Sequence, residues 1–365
     1  MTDGQHIRQL TGLRFFAAFW VVLFHYWPKL DVAGTPMFVQ KGYLGVELFF
    51  ILSGFILCHV YRTSVETERF CYGSFLWNRL ARVYPLHLAT LVGIGLLAGA
   101  ATATGFTVDS HILSWSSLPA NLFLVHAWGF ADTAAWNHPS WSISAEWFAY
   151  LTFPLFAWAV LRLKRRPLVA VALAAGFMVG LYAAFEQVAG FPLTRATIAW
   201  GALRIVPCFA YGCALHALWR ARPARSRRAA LAGVALSTAL ACATVALGAP
   251  DALIVVGLGI VILFLGRLAQ TGSNLFTAAP LVYLGEISYS VYMICVPWMI
   301  VSVNATAKLL QINDERLPLG LWLVVLLSVI PLSAASYHLI EKPARGRMKL
   351  LSEAWGARRP KAARA

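Results

Sequence analysis

Ten apolar blocks constrain this chain more than any other feature, each near the roughly 20 residues a helix needs to cross about 30 Å of hydrocarbon. They run 10–27, 43–61, 83–104, 141–161, 168–186, 197–219, 229–248, 252–268, 281–304 and 318–340. A backbone in lipid must satisfy its own hydrogen bonds, so blocks of this length predict helices. The expected fold is all-α, a polytopic membrane protein of about ten transmembrane helices. Composition agrees, with 59% hydrophobic and 12% charged residues against roughly 25% charged in soluble domains. Residues 118–130 form a further apolar stretch, read as re-entrant or interfacial.

An even number of crossings places both termini on one side, and the basic residues say which. With the N-terminus in the cytoplasm, the inner segments hold Arg8, then Arg62, Arg69, Arg79 and Arg82, then Arg162, Lys164, Arg165 and Arg166. Arg220, Arg222, Arg225, Arg227, Arg228, Arg267 and a basic cluster after Glu341 follow on the same side. The outer segments hold Lys29, Lys41, Arg195, Lys308 and Arg316. Both termini are therefore expected in the cytoplasm. The net charge of +15, which in a soluble chain suggests nucleic acid, is read here as topogenic, with no nucleic-acid partner. The run 15–24 behind Arg8 has the length of a signal-peptide core, but no small-x-small site follows and no cleavage is expected. One membrane domain is expected over residues 1–343, with a basic cytoplasmic tail at 344–365 that has affinity for anionic lipid. The six cysteines are scattered without CxxC or Cys/His spacing, so neither disulfides nor a metal is expected.

Ionisable groups inside spans are costly and mark function by default. Arg14 and His25 in the first block are eleven residues apart, about three turns plus 20°, so they share a face about 16 Å apart. The alternative readings are a snorkelling arginine and a hydrogen-bonded core histidine. Glu47 and Glu146 sit early in spans that enter from outside and so reach the level of His25 by depth counting. A carboxylate on one imidazole nitrogen leaves the other to take a proton from a hydroxyl, which is a general-base arrangement. The alternative for each is a pair with Arg204 or a helix N-terminal interaction. Arg79 and Arg82 are three residues apart and form a cationic fork suited to phosphate, or else further topogenic charge.

The outer segment 105–140 contains no Lys or Arg but carries Asp109, His111, Trp115, Asn121, His126, Trp128, Asp132, Trp136, Asn137 and His138. Aromatic faces pack on the apolar patches of sugar rings while short polar groups bond hydroxyls. Trp136, His138 and Trp141 are the candidate acceptor contacts. The competing reading is an aromatic belt at the membrane surface.

Residues 10–25, LTGLRFFAAFWVVLFH, followed by GYLGVELFFILSGFIL at 42–57, resemble the opening of the acyltransferase 3 family of membrane proteins. RLARVYP at 79–85, PSWSISAEWFAY at 139–150, YLGEISYSVY at 283–292 and YHLIEKP at 337–343 continue the likeness in the family's order. The resemblance implies a ten-helix core in the bacterial cytoplasmic membrane that takes acyl groups, usually acetyl from acetyl-CoA, to extracytoplasmic sugar hydroxyls or lipids. Acetyl-CoA is then a substrate, and no tightly bound cofactor is expected. By the same resemblance Arg14 and His25 match the RX10H pair, Arg79 and Arg82 the RxxR pair, and Phe49, Phe50, Ser53 and Gly54 the FFxLSG segment. Arg14, Arg79, Arg82, Phe49, Phe50, Ser53 and Gly54 are thus expected at the donor, with His25, Glu146 and Glu47 at the chemistry. Many relatives carry a histidine where this chain has Cys295. The extracytoplasmic hydrolase-like domain of some relatives is not found in residues 1–365, so transfer is expected from this domain alone or with a partner. An exopolysaccharide unit or O-antigen is the expected acceptor, with a lipid or antibiotic as alternative. A transporter using Arg14, His25 and Glu146 as a relay is a reading of a different class.

Overall fold

A computed structural model describes residues 6–105, 112–312 and 316–358, with side chains described to residue 351; Asp109 and His111 lie outside it. The helices are α1 (Arg8–Tyr26), α2 (Met37–Gln40), α3 (Gly45–Glu66), α4 (Tyr72–Ala103), α5 (Leu118–Leu122), α6 (Trp141–Leu151), α7 (Phe153–Arg162), α8 (Pro167–Ala189) and α9 (Gly201–Ala221). They continue as α10 (Arg227–Ala246), α11 (Asp251–Ala269), α12 (Ala279–Leu309), α13 (Leu319–Ser336), a π turn at Tyr337–Glu341 and α14 (Lys342–Arg358). Among the described residues there is no β-strand, and Leu30 and Leu317 pair as an isolated bridge.

Nine helical segments of the described residues are long and apolar enough to cross a membrane, and a bent pair raises the count to as many as ten. The expected spans are thus recovered, the fourth with a difference. It is two helices, α6 and α7, inclined by 56° across a break at Thr152. Pro154 stands in the first turn of α7. A proline lacks the N–H for the helix bond four residues back and crowds that carbonyl, so the chain restarts there in a new direction. At the other end α14 continues from the π turn, and the Trp77 indole N–H donates to the Met348 carbonyl (2.8 Å), so residue 343 marks no break in the chain path.

The spans form two tiers. The apolar windows of α3 and α9 are 78% buried, those of α4 and α8 22%. The inner helices touch almost only protein, while Leu96, Leu97, Leu173 and Phe177 on the outer ones face outward. Lipid tails are as apolar as leucine, so close backbone packing has to hold the inner tier together. Glycine provides it. A Cβ on Gly54 would collide with the carbonyl oxygen of Phe209, and one on Gly212 with that of Ile51, so α3 and α9 meet backbone to backbone. Gly285 of α12 presses the Thr11 carbonyl of α1, while Gly42 and Gly45 press those of Trp20 and Ala17.

Residues 112–137 are partly buried against the bundle, with Trp115, Phe123 and Phe130 left exposed. The Ala127 N–H donates to Ser144 Oγ (3.0 Å), which donates to the Leu124 carbonyl (2.8 Å), and the Ala202 N–H donates to the Ala127 carbonyl (3.0 Å). The segment is thereby sewn onto the starts of α6 and α9. Because the obstacle at Gly212 is backbone, overpacking there cannot relax by a rotamer change. Gly212→Val is expected to destabilise the protein by about 3 kcal/mol, read as a lowered Tm of the detergent-solubilised protein, whereas Gly176→Val, on the open face of α8, should leave Tm nearly unchanged.

Candidate active site

Between α1, α3, α4, α6 and α12 lies a cavity of about 260 Å³. Arg14 enters it from α1, Phe49, Phe50 and Ser53 from α3, Arg79 and Arg82 from α4, Glu146 from α6, and Tyr289 and Tyr292 from α12. Its lining also includes His6 and Ile7 before α1, and His59 and Val60 late in α3. The cavity therefore belongs to the end of the bundle where α1 begins. His6 bonds Thr11 Oγ1 through Nε2 (2.8 Å). Burial, with Arg14 and Arg8 adding to it against the pull of Glu286, holds its imidazole below the ordinary range, so at neutral pH it adds no charge to the mouth.

The lining is strongly cationic with internal partners of unequal strength. Ser53 Oγ donates to Glu146 Oε1. Arg82 Nη1 donates to Glu341 Oε1 at 2.5 Å, and Ser290 Oγ donates to the other carboxylate oxygen at 2.9 Å. The guanidinium of Arg82 also lies 5.8 Å from the Tyr289 ring centre. Arg79 faces the Tyr61 ring at 5.7 Å, and its buried Nε has no hydrogen-bond partner among the described residues. Arg14 feels the charges of Arg82, Glu146 and Glu341. This set can receive an anion, and guanidinium groups favour phosphate oxygens.

His25 lies outside this lining. Val46 marks the deep end of the cavity, and its neighbour Gly45 packs on Ala17. Eight further residues of α1 separate Ala17 from His25, a rise of about 12 Å. There the His25 ring meets His138 edge-on, centroids 6.2 Å apart, and Phe24 at 5.2 Å. Tyr292 links the two levels, since it lines the cavity and donates through Oη to the carbonyl of Pro139, next to His138 (3.0 Å).

The carboxylates expected at His25 are engaged elsewhere. Glu47, fully buried, takes two bonds from Arg204, Nε to Oε1 at 2.5 Å and Nη2 to Oε2 at 3.0 Å, while Arg204 Nη1 donates to the Ala196 carbonyl at 2.8 Å. Glu146 stands with Ser53 in the cavity. Depth counting could not foresee this, because the start of α6 is buried among other helices, with Ser144 bonded to Ala127 and Leu124 of segment 112–137. Trp141 packs on Arg204 (4.5 Å) and Phe50 (6.1 Å) and is 4% exposed, so it buttresses the ion pair instead of facing an acceptor. Trp136 is also buried, its indole N–H bonded to the Ser114 carbonyl (3.0 Å). Gly54 is absent from the lining and serves the contact between α3 and α9. Cys295 is buried, its thiol on the Tyr292 carbonyl (3.1 Å). Sequence reasoning missed Glu341, Ser290, Tyr289 and Tyr292, although all four lie within the segments 283–292 and 337–343.

Behind His138 the segment 112–137 carries a buried polar cluster. The His87 and His126 rings stack at 5.9 Å, His87 Nε2 bonds the Asn121 carbonyl (2.9 Å), and His126 Nε2 bonds Ser140 Oγ (3.1 Å).

A family model described as an acyltransferase domain, that of the acyltransferase 3 family, matches residues 7–338. The acyltransferase MdmB of Streptomyces mycarofaciens is 36% identical over 158 residues, 40% of this chain and 38% of that protein. The peptidoglycan O-acetyltransferase OatA of Listeria monocytogenes is 23% identical over 376 residues, 93% of this chain and 56% of that protein. Nodulation protein 10 of Rhizobium leguminosarum is 28% identical over 186 residues, 47% of this chain and 49% of that protein. The chain thus spans about half the length or less of these relatives. No solved structure matches it.

Removing one partner of a buried ion pair strands a charge. Arg204→Met is expected to cost roughly 3–5 kcal/mol, and Arg204→Met combined with Glu47→Leu should recover most of the lost Tm, because neither charge then remains in the core.

Proposed function

From the premise that this chain belongs to the acyltransferase 3 family, we propose that it is a membrane O-acetyltransferase that moves an acetyl group from cytoplasmic acetyl-CoA to a hydroxyl of an extracytoplasmic sugar. The observation that carries this reading is the division of α1. One end brings Arg14 into a cationic cavity with Arg79 and Arg82, and the other holds His25 beside His138. The basic segments put the cavity end in the cytoplasm, and the membrane is the cytoplasmic membrane of a bacterium.

Arg14 and Arg79 receive the phosphates of the donor, with Arg82 in the wall beside them. The pantetheine arm, flexible and extended, spans the remaining distance along α1 past Phe49, Phe50 and Tyr292. The acceptor hydroxyl arrives from outside at His25. The imidazole takes the hydroxyl proton as the oxygen attacks the thioester carbonyl. Collapse of the tetrahedral adduct forms the ester and breaks the carbon–sulfur bond, and the imidazolium returns the proton to the leaving thiolate. In the alternative course the imidazole itself first carries the acetyl group and then yields it to the sugar. Glu146 serves the donor end together with Ser53, and Glu47 holds α3 to α9 through Arg204. His138 orients the acceptor or the His25 ring. Peptidoglycan is named as the acceptor of the Listeria relative; here an exopolysaccharide unit or O-antigen is proposed, with a lipid or antibiotic hydroxyl as the other candidates.

Purified protein in liposomes with labelled acetyl-CoA inside tests the reading. Label moved to an external acceptor, or donor hydrolysis with label released outside, supports it, whereas solute flux without either supports a transporter. His25→Ala is expected to lower transfer by about 10²- to 10⁴-fold, the range for losing a general base, with CoA binding retained. Accumulation of an acetyl-histidine before a burst of product selects the second course.

A further inference from the structure

The final membrane segment contributes a buried carboxylate that the proposed chemistry does not use. Glu341 closes the π turn Tyr337–Glu341 and is 1% exposed, while its neighbours Leu339 and Ile340 face outward. A π turn inserts an extra residue into a helix at a cost in packing, and such turns are frequent at functional sites. Here it swings one acidic side chain inward at the end of a span. Both oxygens of that carboxylate are used, one by Arg82 and the other by Ser290. The Tyr289 ring lies against the same guanidinium, and its hydroxyl is anchored on the Val83 carbonyl (2.6 Å). Arg82 is therefore held on two sides, by the Glu341 carboxylate and by the Tyr289 ring, each of which is itself anchored. Arg79, one turn earlier, has no carboxylate partner among the described residues, and neither has Arg14.

Resting on the donor reading above, we infer that Glu341 is a positioning residue for the acyl donor, fixing Arg82 in the cavity wall so that the cavity stays open to phosphate. The reason is competition between two carboxylates. Glu146 lines the same cavity, and the charges of Arg82 and Glu146 both reach Arg14. An arginine released from Glu341 is left with an unpaired charge in a poorly solvated place, where pairing is strongly favoured. Glu146 is then the carboxylate at hand, and a guanidinium that turns to it crosses the space the donor needs. Glu341 thus separates the two arginines of the RxxR segment by task. Arg79 and Arg14 are open ligands for phosphate, while Arg82 is a fixed charge that needs no reorganisation when the anion arrives.

The test compares CoA with pantetheine, which lacks the phosphates, as ligands of the full chain in nanodiscs. Glu341→Gln is expected to weaken CoA about tenfold, in the range for a lost hydrogen bond to a charged group, and to leave pantetheine nearly unchanged. Arg82→Ala should weaken CoA to a similar degree, and adding Glu341→Gln to it should change nothing further, since the carboxylate acts through the arginine. Should Glu341→Gln fail to fold, Ser290→Ala, which removes one of the two bonds to the carboxylate, is read in its place and should weaken CoA by about threefold. CoA binding that is unchanged or tighter overturns the inference, because Glu341 then only competes for Arg82. Equal weakening of CoA and pantetheine also overturns it, as general damage to the fold. Wild-type protein that binds no CoA removes the donor assignment and this inference together, whereas wild-type binding with an unaffected variant removes the inference alone.

Discussion

A charge placed in hydrocarbon has to find its counterpart within the protein, and that requirement organises this bundle. The pair of Glu47 and Arg204 meets it completely, with two bonds across the contact between α3 and α9 and a third from Arg204 to the Ala196 carbonyl. The Trp141 ring covers the guanidinium. Around Arg14, Arg79 and Arg82 the requirement is met in part. Glu341 holds Arg82, Glu146 holds a serine, and cationic surface is left facing a cavity. The saturated pair fastens helices, and the unsaturated group presents positive charge to the cavity.

The way α6 begins decides where Glu146 sits in that second group. Glu146 lies five residues into α6, before the break at Thr152. Residues 112–137 come first in the chain and are stitched to the start of α6 by Ser144 and Ala127. Glu146 then reaches Ser53, and Pro154 redirects the chain after α6 has delivered it.

Much of this was legible from residue order alone, for identifiable reasons. Spans were readable because lipid permits almost nothing but helix over 20 apolar residues, and the shared face of Arg14 and His25 follows from helical period. The level of Glu146 was not readable, because counting from a block's edge assumes that the helix starts at the membrane surface. Trp136 and Trp141 were read as sugar contacts with an aromatic belt at the membrane surface as the alternative, and their burial in the core is a third arrangement that composition does not signal. Glu341 was invisible for another reason. At the margin of an apolar block a carboxylate costs little, and it is the local π winding, which leaves no mark in hydropathy, that turns it inward. Glu47 was placed among the candidates for chemistry with its pairing to Arg204 as the alternative, and the bonds follow the alternative.

The glycine contacts on α1 bear on how material crosses this membrane. Thr11 is pressed by Gly285 from one side, and Ala17 and Trp20 by Gly45 and Gly42 from another, all at main-chain carbonyls. Carbonyls gripped without intervening side chains leave a helix little room to slide or roll. The first helix is a fixed rail, and the donor proposed above has to reach along it by the length of its own flexible arm, without any help from a shift of α1.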